Sequence, residues 1–385
     1  MSNLPFSIGS TNCGNIADID GNCKVDIFDY NLLVGNFGKT SGTPTPTNRP
    51  TATPTTKPTI SPPATPIPGQ SKGIWISKDR VMKLPISGSA WNNLKSAADS
   101  SPGDTKLTTR NTANTITLAK ALVYARTGES KYKDEVINIV MGVIGTEDGG
   151  DDLAVFRRIE AYVVAADLVG LPSDKDTTFR SWLRQMLTKK LSSWSVTSNH
   201  DTRPNNWGTH AGGSRAAIAA YLGDEVELAR VAQVFKGWLG DRLSYAGFDY
   251  GDLSWQCDPA KPVGINPKGC IKLGHSIDGV LPDDQRRGGG FSWPPPKENY
   301  VYGGLQGALS QAIILFNAGY DTWNWEDKAL LRAFQWLHNE ANFPATGDDV
   351  WEPWIINYYY GTSFPAPSPT QPGKNTGWTD WTHSK

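Results

Sequence analysis

Three short stretches carry side chains suited to gripping an anion and moving a proton. The first, Arg203-Pro-Asn205-Asn206-Trp207-Gly208-Thr209-His210, sets two amides, an indole and an imidazole directly before a helical pattern. The second runs from His275 through Asp278-Gly279-Val280-Leu281-Pro282 to Arg286 and Arg287. The third, Glu298-Asn299-Tyr300-Val301-Tyr302-Gly303-Gly304, opens into an apolar run. Amide and imidazole N–H groups donate to carboxylates, guanidinium is a permanent cation, and a phenol gives or takes a proton. Each stretch alone also has an ordinary structural explanation. Asparagine caps helices, a core histidine hydrogen-bonds its neighbours, and a tyrosine at a helix start packs.

The elements that must hold these residues are helical. Apolar residues recur at spacings of three and four over Ala113–Arg126, Lys131–Ile144, Leu153–Val169, Thr178–Leu191, Gly213–Leu222, Leu228–Leu239, Gly304–Asn317 and Glu326–Leu337. Gly128, Gly170 and Gly223 stand where C-caps are expected. Strand signals are few and no βαβ rhythm is present, which predicts an all-α domain over residues 71–385, such as helical hairpins arranged as a toroid. Residues 245–301 lack regular pattern but hold Asp249, Asp252, Trp255, His275, Asp278, Asp283, Asp284, Arg286, Arg287, Trp293 and Glu298. A long irregular segment inside a compact domain is usually functional.

Composition narrows the partner. The 385 residues carry 37 Lys+Arg against 38 Asp+Glu, a net charge of −1, without the basic field of a dedicated nucleic-acid binder. No apolar run approaches the ~18 residues of a membrane span, and the opening MSNLPFSIGS does not read as a signal peptide. Fifteen Trp, 13 Tyr and 12 Phe are many for a chain only 38% hydrophobic. Most of these aromatics belong in a core, and some have the flat apolar face and polar edge that suit a sugar ring.

Residues 40–70 contain ten Thr and nine Pro, too little apolar surface to fold, and form a linker. Before it, residues 1–39 hold Asp18, Asp20, Asn22, Asp26 and Asp29 at positions 1, 3, 5, 9 and 12 of an acidic loop, with the Lys24 carbonyl at position 7. That donor set is the one a Ca2+ loop requires. The segment resembles one calcium-binding half of a dockerin, which implies a cohesin-like scaffold partner. Cys23 replaces the glycine usual at position 6, and a dockerin has two loops where this segment has one. The four cysteines fall into two local pairs, Cys13 with Cys23 and Cys257 with Cys270. Two disulfides and an exported protein are expected, the leader being absent from this chain.

Taken in order, the three stretches resemble the alginate lyase superfamily of polysaccharide lyases over roughly residues 75–340. In that superfamily an Asn-Asn pair at a helix start precedes a Gly-x-Leu-Pro segment, an arginine five residues beyond the proline, and a tyrosine-bearing helix. Here these are Asn205-Asn206, Gly279-Val280-Leu281-Pro282, Arg287 and Tyr300, with Tyr302 as a rival tyrosine. The helix bearing Arg157, Arg158, Tyr162 and Asp167 is also similar. Trp207 stands where many alginate lyases have a histidine directly after the second Asn, as in the related chondroitin and hyaluronan lyases. The imidazole is then expected from His210 or His275.

The resemblance implies β-elimination on a 4-linked polyuronate, alginate or polymannuronate first and glucuronan second, without a catalytic cofactor. Such an enzyme removes the proton on C5, beside the carboxylate, and expels the oxygen on C4. Asn206 with His210 or His275 would neutralise the carboxylate as an enolate-like charge builds. Tyr300 would be the acid and base, or the acid alone if proton and leaving group depart from opposite faces. A tyrosine titrates near ~10, so a neighbouring cation is needed, and Arg287 is the candidate. Arg157, Arg158 and Arg203 would bind further carboxylates, while Asn205, Trp207, Trp255 and Trp293 would line the substrate. Two other readings compete. A glycoside hydrolase needs a carboxylate pair drawn from Asp249, Asp252, Asp283, Asp284, Glu298 and Glu352. A non-catalytic polysaccharide binder would explain the aromatics but not the Arg/Tyr/His loop.

Overall fold

The expected periodicities become helices in the structure, a computed structural model that describes residues 73–384. All of these lie in the unit Ser61–Lys385. The acidic loop, the Cys13/Cys23 pair and the whole Thr/Pro tract fall outside the described residues. In chain order the helices are α1 (Lys78–Val81), α2 (Ser89–Asp99), α3 (Ala113–Thr127), α4 (Ser130–Gly142), α5 (Asp152–Val169), α6 (Ser173–Thr188) and α7 (Val196–Thr202). They continue as α8 (Asn206–Leu222), α9 (Glu225–Leu239), α10 (Pro282–Gln285), α11 (Tyr300–Asn317), α12 (Trp325–Asn339), α13 (Glu352–Tyr360) and α14 (Thr379–Thr382). The only described strands, β1 (Ile271–Lys272) and β2 (His275–Ser276), pair antiparallel with Lys272 opposite His275.

Four helices form the interior row: α3 packs on α5, α5 on α8, and α8 on α11. They are buried nearly all round, as helices enclosed by other helices must be. The flanking helices bury one stripe. In α9 that stripe is Leu228, Val231, Ala232, Phe235, Trp238 and Leu239. The C-terminal segment bridges the two ends of the row. Asn114 Nδ2 of α3 donates to Lys374 O (3.1 Å), and Lys374 N donates to Gln306 Oε1 of α11 (3.1 Å). Trp378 Nε1 reaches Thr115 O (3.1 Å) and Trp381 Nε1 reaches Pro85 O (2.8 Å).

Gly128, Gly170 and Gly223 do cap α3, α5 and α8. Several starts differ from the sequence expectation. Helix α8 begins at Asn206 rather than Gly213, because Asn205 is its N-cap and accepts from Trp207 N (3.2 Å). Helix α11 begins at Tyr300 rather than Gly304. In both, glycine and polar residues in the first turns conceal the apolar period. Helix α6 spans Ser173–Thr188 instead of 178–191, with Asp174 and Asp176 in its first turn, where acidic groups favour the positive end of the helix dipole.

Candidate functional site

The early start of α8 puts Asn206 and His210 one turn apart on the same helix face. Helix α11 lies directly against them. A Cβ added at Gly307 would fall 2.4 Å from His210 N, and one at Gly303 would fall 3.7 Å from Asn206 Nδ2. Tyr300 stands one turn before Gly303, at the end of α11 that lies on the Asn206 side of the pair. Glycine at 307 is what allows this approach, since backbone meets backbone there.

Both α8 side chains are fully buried, and neither the Asn206 amide nor either His210 ring nitrogen makes a hydrogen bond within the protein. Buried polar groups are ordinarily paired, so these donors and acceptors are open to a partner from outside the protein. Burial holds the His210 imidazole well below its usual value, and the charges of Arg157 and Lys374 push the same way. It is therefore neutral and has one N–H to give. Asn206 is fixed through its backbone N–H, which donates to Asp284 Oδ1 (3.1 Å).

Tyr300 is 41% exposed, and the Arg287 guanidinium sits 4.0 Å from its ring centre. Its hydroxyl also interacts electrostatically with Arg110 and Arg157. Arg157 is half-buried with an unpartnered Nε, and its pKa is pushed down to about 10 by burial and then by Arg110. Arg110 was not expected from the sequence. It comes from the loop before α3 and ion-pairs with Asp151. Arg158 and Tyr162 shape that loop: the guanidinium donates to Lys106 O, Thr109 O and Asn111 Oδ1, and the Tyr162 hydroxyl donates to Thr105 O.

Other expected site residues have structural duties. Arg158 is buried and spends both terminal nitrogens on that loop and on Tyr162. Tyr302 is wholly buried, donates to Phe343 O (2.6 Å), and has its pKa raised by burial and by Glu352 and Asp349. It packs the helix against the Phe343 segment. Trp255 is also buried, donating to Gly289 O (2.9 Å) against Phe291, so it does not face a sugar. Asn205 is the α8 cap, and its Nδ2 donates to Asp283 Oδ2 (2.9 Å). His275 stacks on Trp293 at 4.3 Å beside the β1–β2 hairpin, so each covers a face of the other. Arg203 lies 5.9 Å from the rings of both Trp194 and Trp207, at the entrance to α8. Trp207 is half-buried, edge-on to Phe156.

The carboxylates of the hydrolase reading are placed otherwise. Asp283 is buried and bonded by Arg286 Nε (2.7 Å), Asn205 and Gly251 N (3.1 Å). Asp284 and Glu352 are buried, with burial raising both well above the usual carboxylate range. Glu298 Oε1 accepts from Tyr300 N (3.0 Å). Among the described residues no group of three or more His, Cys, Asp or Glu is placed to hold a metal ion. The expected Cys257–Cys270 disulfide is present, as suits an oxidising compartment, and no described helix is long and apolar enough to cross a membrane.

Fold and site together define an all-α domain whose buried amide and imidazole, exposed phenol and surrounding guanidinium groups suit an anionic ligand. Residues 102–247 match the family model described as Alginate lyase, so this stretch of the helical domain is similar to that family. The matched stretch includes Arg110, Arg157, Asn206 and His210, and ends before Arg287 and Tyr300. The match points to polysaccharide lyase as the activity class and to a polysaccharide as the substrate. No curated protein matches the chain.

Proposed function

We propose that this domain cleaves a 4-linked polyuronate by β-elimination, with alginate or polymannuronate the preferred polymer and glucuronan the second. The reading rests above all on Asn206 and His210, whose buried polar atoms lack protein partners beside the helix that begins at Tyr300. The uronate carboxylate fits as their missing partner. Neutral His210 and the Asn206 amide donate to it, and those bonds strengthen as the C5 proton leaves and charge spreads into the carboxylate. Tyr300 takes the C5 proton and returns one to the C4 oxygen. The Arg287 guanidinium, over its ring, places a positive charge beside the reacting phenol. Arg157 and Arg110 supply positive charge for the polyanion. Arg203 and Trp207 are further contacts along the chain.

The test is near-ultraviolet absorbance, which only elimination produces through its conjugated double bond. The wild-type protein and Tyr300→Phe are incubated with alginate, polymannuronate, polyguluronate, glucuronan, hyaluronan and polygalacturonate. A rise on one polymer, abolished in the variant, is expected. New reducing ends without absorbance would overturn the reading and return attention to the carboxylates. A Ca2+ ion held by Asp18, Asp20, Asn22, the Lys24 carbonyl, Asp26 and Asp29, and attachment to a cohesin-like scaffold, are proposed on the donor spacing alone. Calcium titration of the full chain against Asp18→Ala tests the ion. Binding of the full chain to a cohesin tests the attachment.

A further inference from the structure

The C-terminal segment brings one more cation to this region, far in sequence from every residue expected there. Lys374 is anchored by its main chain, between Gln306 of α11 and Asn114 of α3, and its ammonium is left to other work. The ammonium ion-pairs with Asp348, lies 4.0 Å from Asp349, and keeps 30% of its side-chain surface exposed. Gln306 Nε2 holds the acidic pair in place through Asp348 O (3.2 Å) and Asp349 Oδ1 (2.7 Å). The charge of Lys374 reaches His210, and that of Asp348 reaches Arg157. The Asn299 side chain, next to Tyr300, also bonds Asp349. The ion pair is thus joined to both halves of the site. Arg110 with its partner Asp151 stands in a similar relation to Arg157.

We propose that Lys374 is a specificity-determining residue that binds the carboxylate of a uronate adjoining the reacting one, and that Asp348 holds its place until substrate arrives. The inference rests on the function proposed above and deepens it. An internal carboxylate on the cation makes entry an exchange. A uronate replaces one anion with another, whereas a neutral sugar would leave the ammonium without its partner. Such a competitor sets a selectivity for charge at that sugar at some loss of affinity.

The two members of the pair therefore predict opposite effects. Binding of a mannuronate tetramer is measured by calorimetry in a Tyr300→Phe background, which prevents turnover, with melting temperatures recorded alongside. Lys374→Met should weaken binding about fivefold, the scale of a partly exposed ion pair, and Asp348→Asn should tighten it about threefold. Because the anchoring bonds of residue 374 are main-chain bonds, the fold should survive the methionine. Unchanged affinity in Lys374→Met overturns the proposal. Equal weakening in both variants overturns it too, since a structural strut would behave that way. If no polymer in the panel gives absorbance and no tetramer binds, the proposed function fails and takes this inference with it. An active wild-type enzyme with affinity indifferent to Lys374 sinks this inference alone.

Discussion

Replacing Gly307 by alanine tests the contact on which the whole site depends. The added Cβ would lie 2.3 Å from Thr209 C, 2.4 Å from His210 N and 2.5 Å from Thr209 O, all backbone atoms that no side-chain rotation can move aside. Ordinary van der Waals contact needs about 1 Å more, so α8 and α11 must separate or slide. Overpacking of this kind costs roughly 1–3 kcal/mol, and the upper part of that range applies because both partners are main chain. The better helix propensity of alanine returns up to ~1 kcal/mol, leaving a net loss of about 2 kcal/mol. Gly303, one turn nearer Tyr300, is the control. Its added Cβ would sit 3.7 Å from Asn206, an ordinary contact, so Gly303→Ala should leave stability unchanged or raise it by up to ~1 kcal/mol. Urea denaturation followed by circular dichroism measures both. The same shift displaces Tyr300 from Asn206 and His210, and a misplacement of ~1 Å costs on the order of 100-fold in rate. Gly307→Ala should therefore lose most of its activity even when folded. A Gly307→Ala protein as stable as wild type, or less damaged than Gly303→Ala, would refute the claim that this close approach sets the site.

Other expectations concern charge and cross-linking. Arg287→Ala should lower kcat on the responsive polymer at least about tenfold with little change in melting temperature. Arg286→Ala should instead lower the melting temperature, because Arg286 steadies Asp283 and through it the Asn205 cap. Glu160 is buried and its pKa is raised to about 7 by burial, so the native state keeps a proton that the unfolded chain releases near 4.5. Stability therefore falls as pH rises across that window. Glu160→Gln should remove the fall and gain on wild type by roughly 3 kcal/mol between pH 5 and 8 in denaturation series. Reducing Cys257–Cys270, separated by 13 residues, should cost up to about 3 kcal/mol and lower the calorimetric melting temperature by several degrees.

Much of the fold was legible because α4, α6, α9 and α12 bury one stripe, and apolar spacing reports such stripes directly. The interior row was legible for a different reason, as long apolar runs closed by Gly128, Gly170 and Gly223. What stayed hidden were the opening turns of α8 and α11, where close packing selects glycine and polar groups interrupt the apolar period. Those turns contain Asn206, His210 and Tyr300. Of the residues picked out, Asn206, His210, Arg287, Tyr300 and Arg157 are brought to one region. Arg158, Tyr302 and Trp255 are not, because residue type does not tell a buried hydrogen-bonding arginine or tyrosine from a solvent-facing one. Arg110 and Lys374 escaped notice because each reaches the site from a loop distant in sequence.

The bridge made by the C-terminal segment also fixes the order in which the enzyme can be completed. A ribosome releases the chain from its N-terminus, so α3, α5, α8 and α11 all emerge before residues 374 and 375. Asn375 Nδ2 then closes the interior, bonding Ser310 Oγ (2.8 Å), Glu160 Oε2 (3.2 Å) and Gln306 O (3.3 Å). A nascent chain therefore holds its buried Glu160 without that partner until residue 375 has emerged. A stop codon just before residue 374 would spare every helix of the interior row yet leave that row unsealed. Quality control in the producing cell would then meet the complete interior row around an open polar seam.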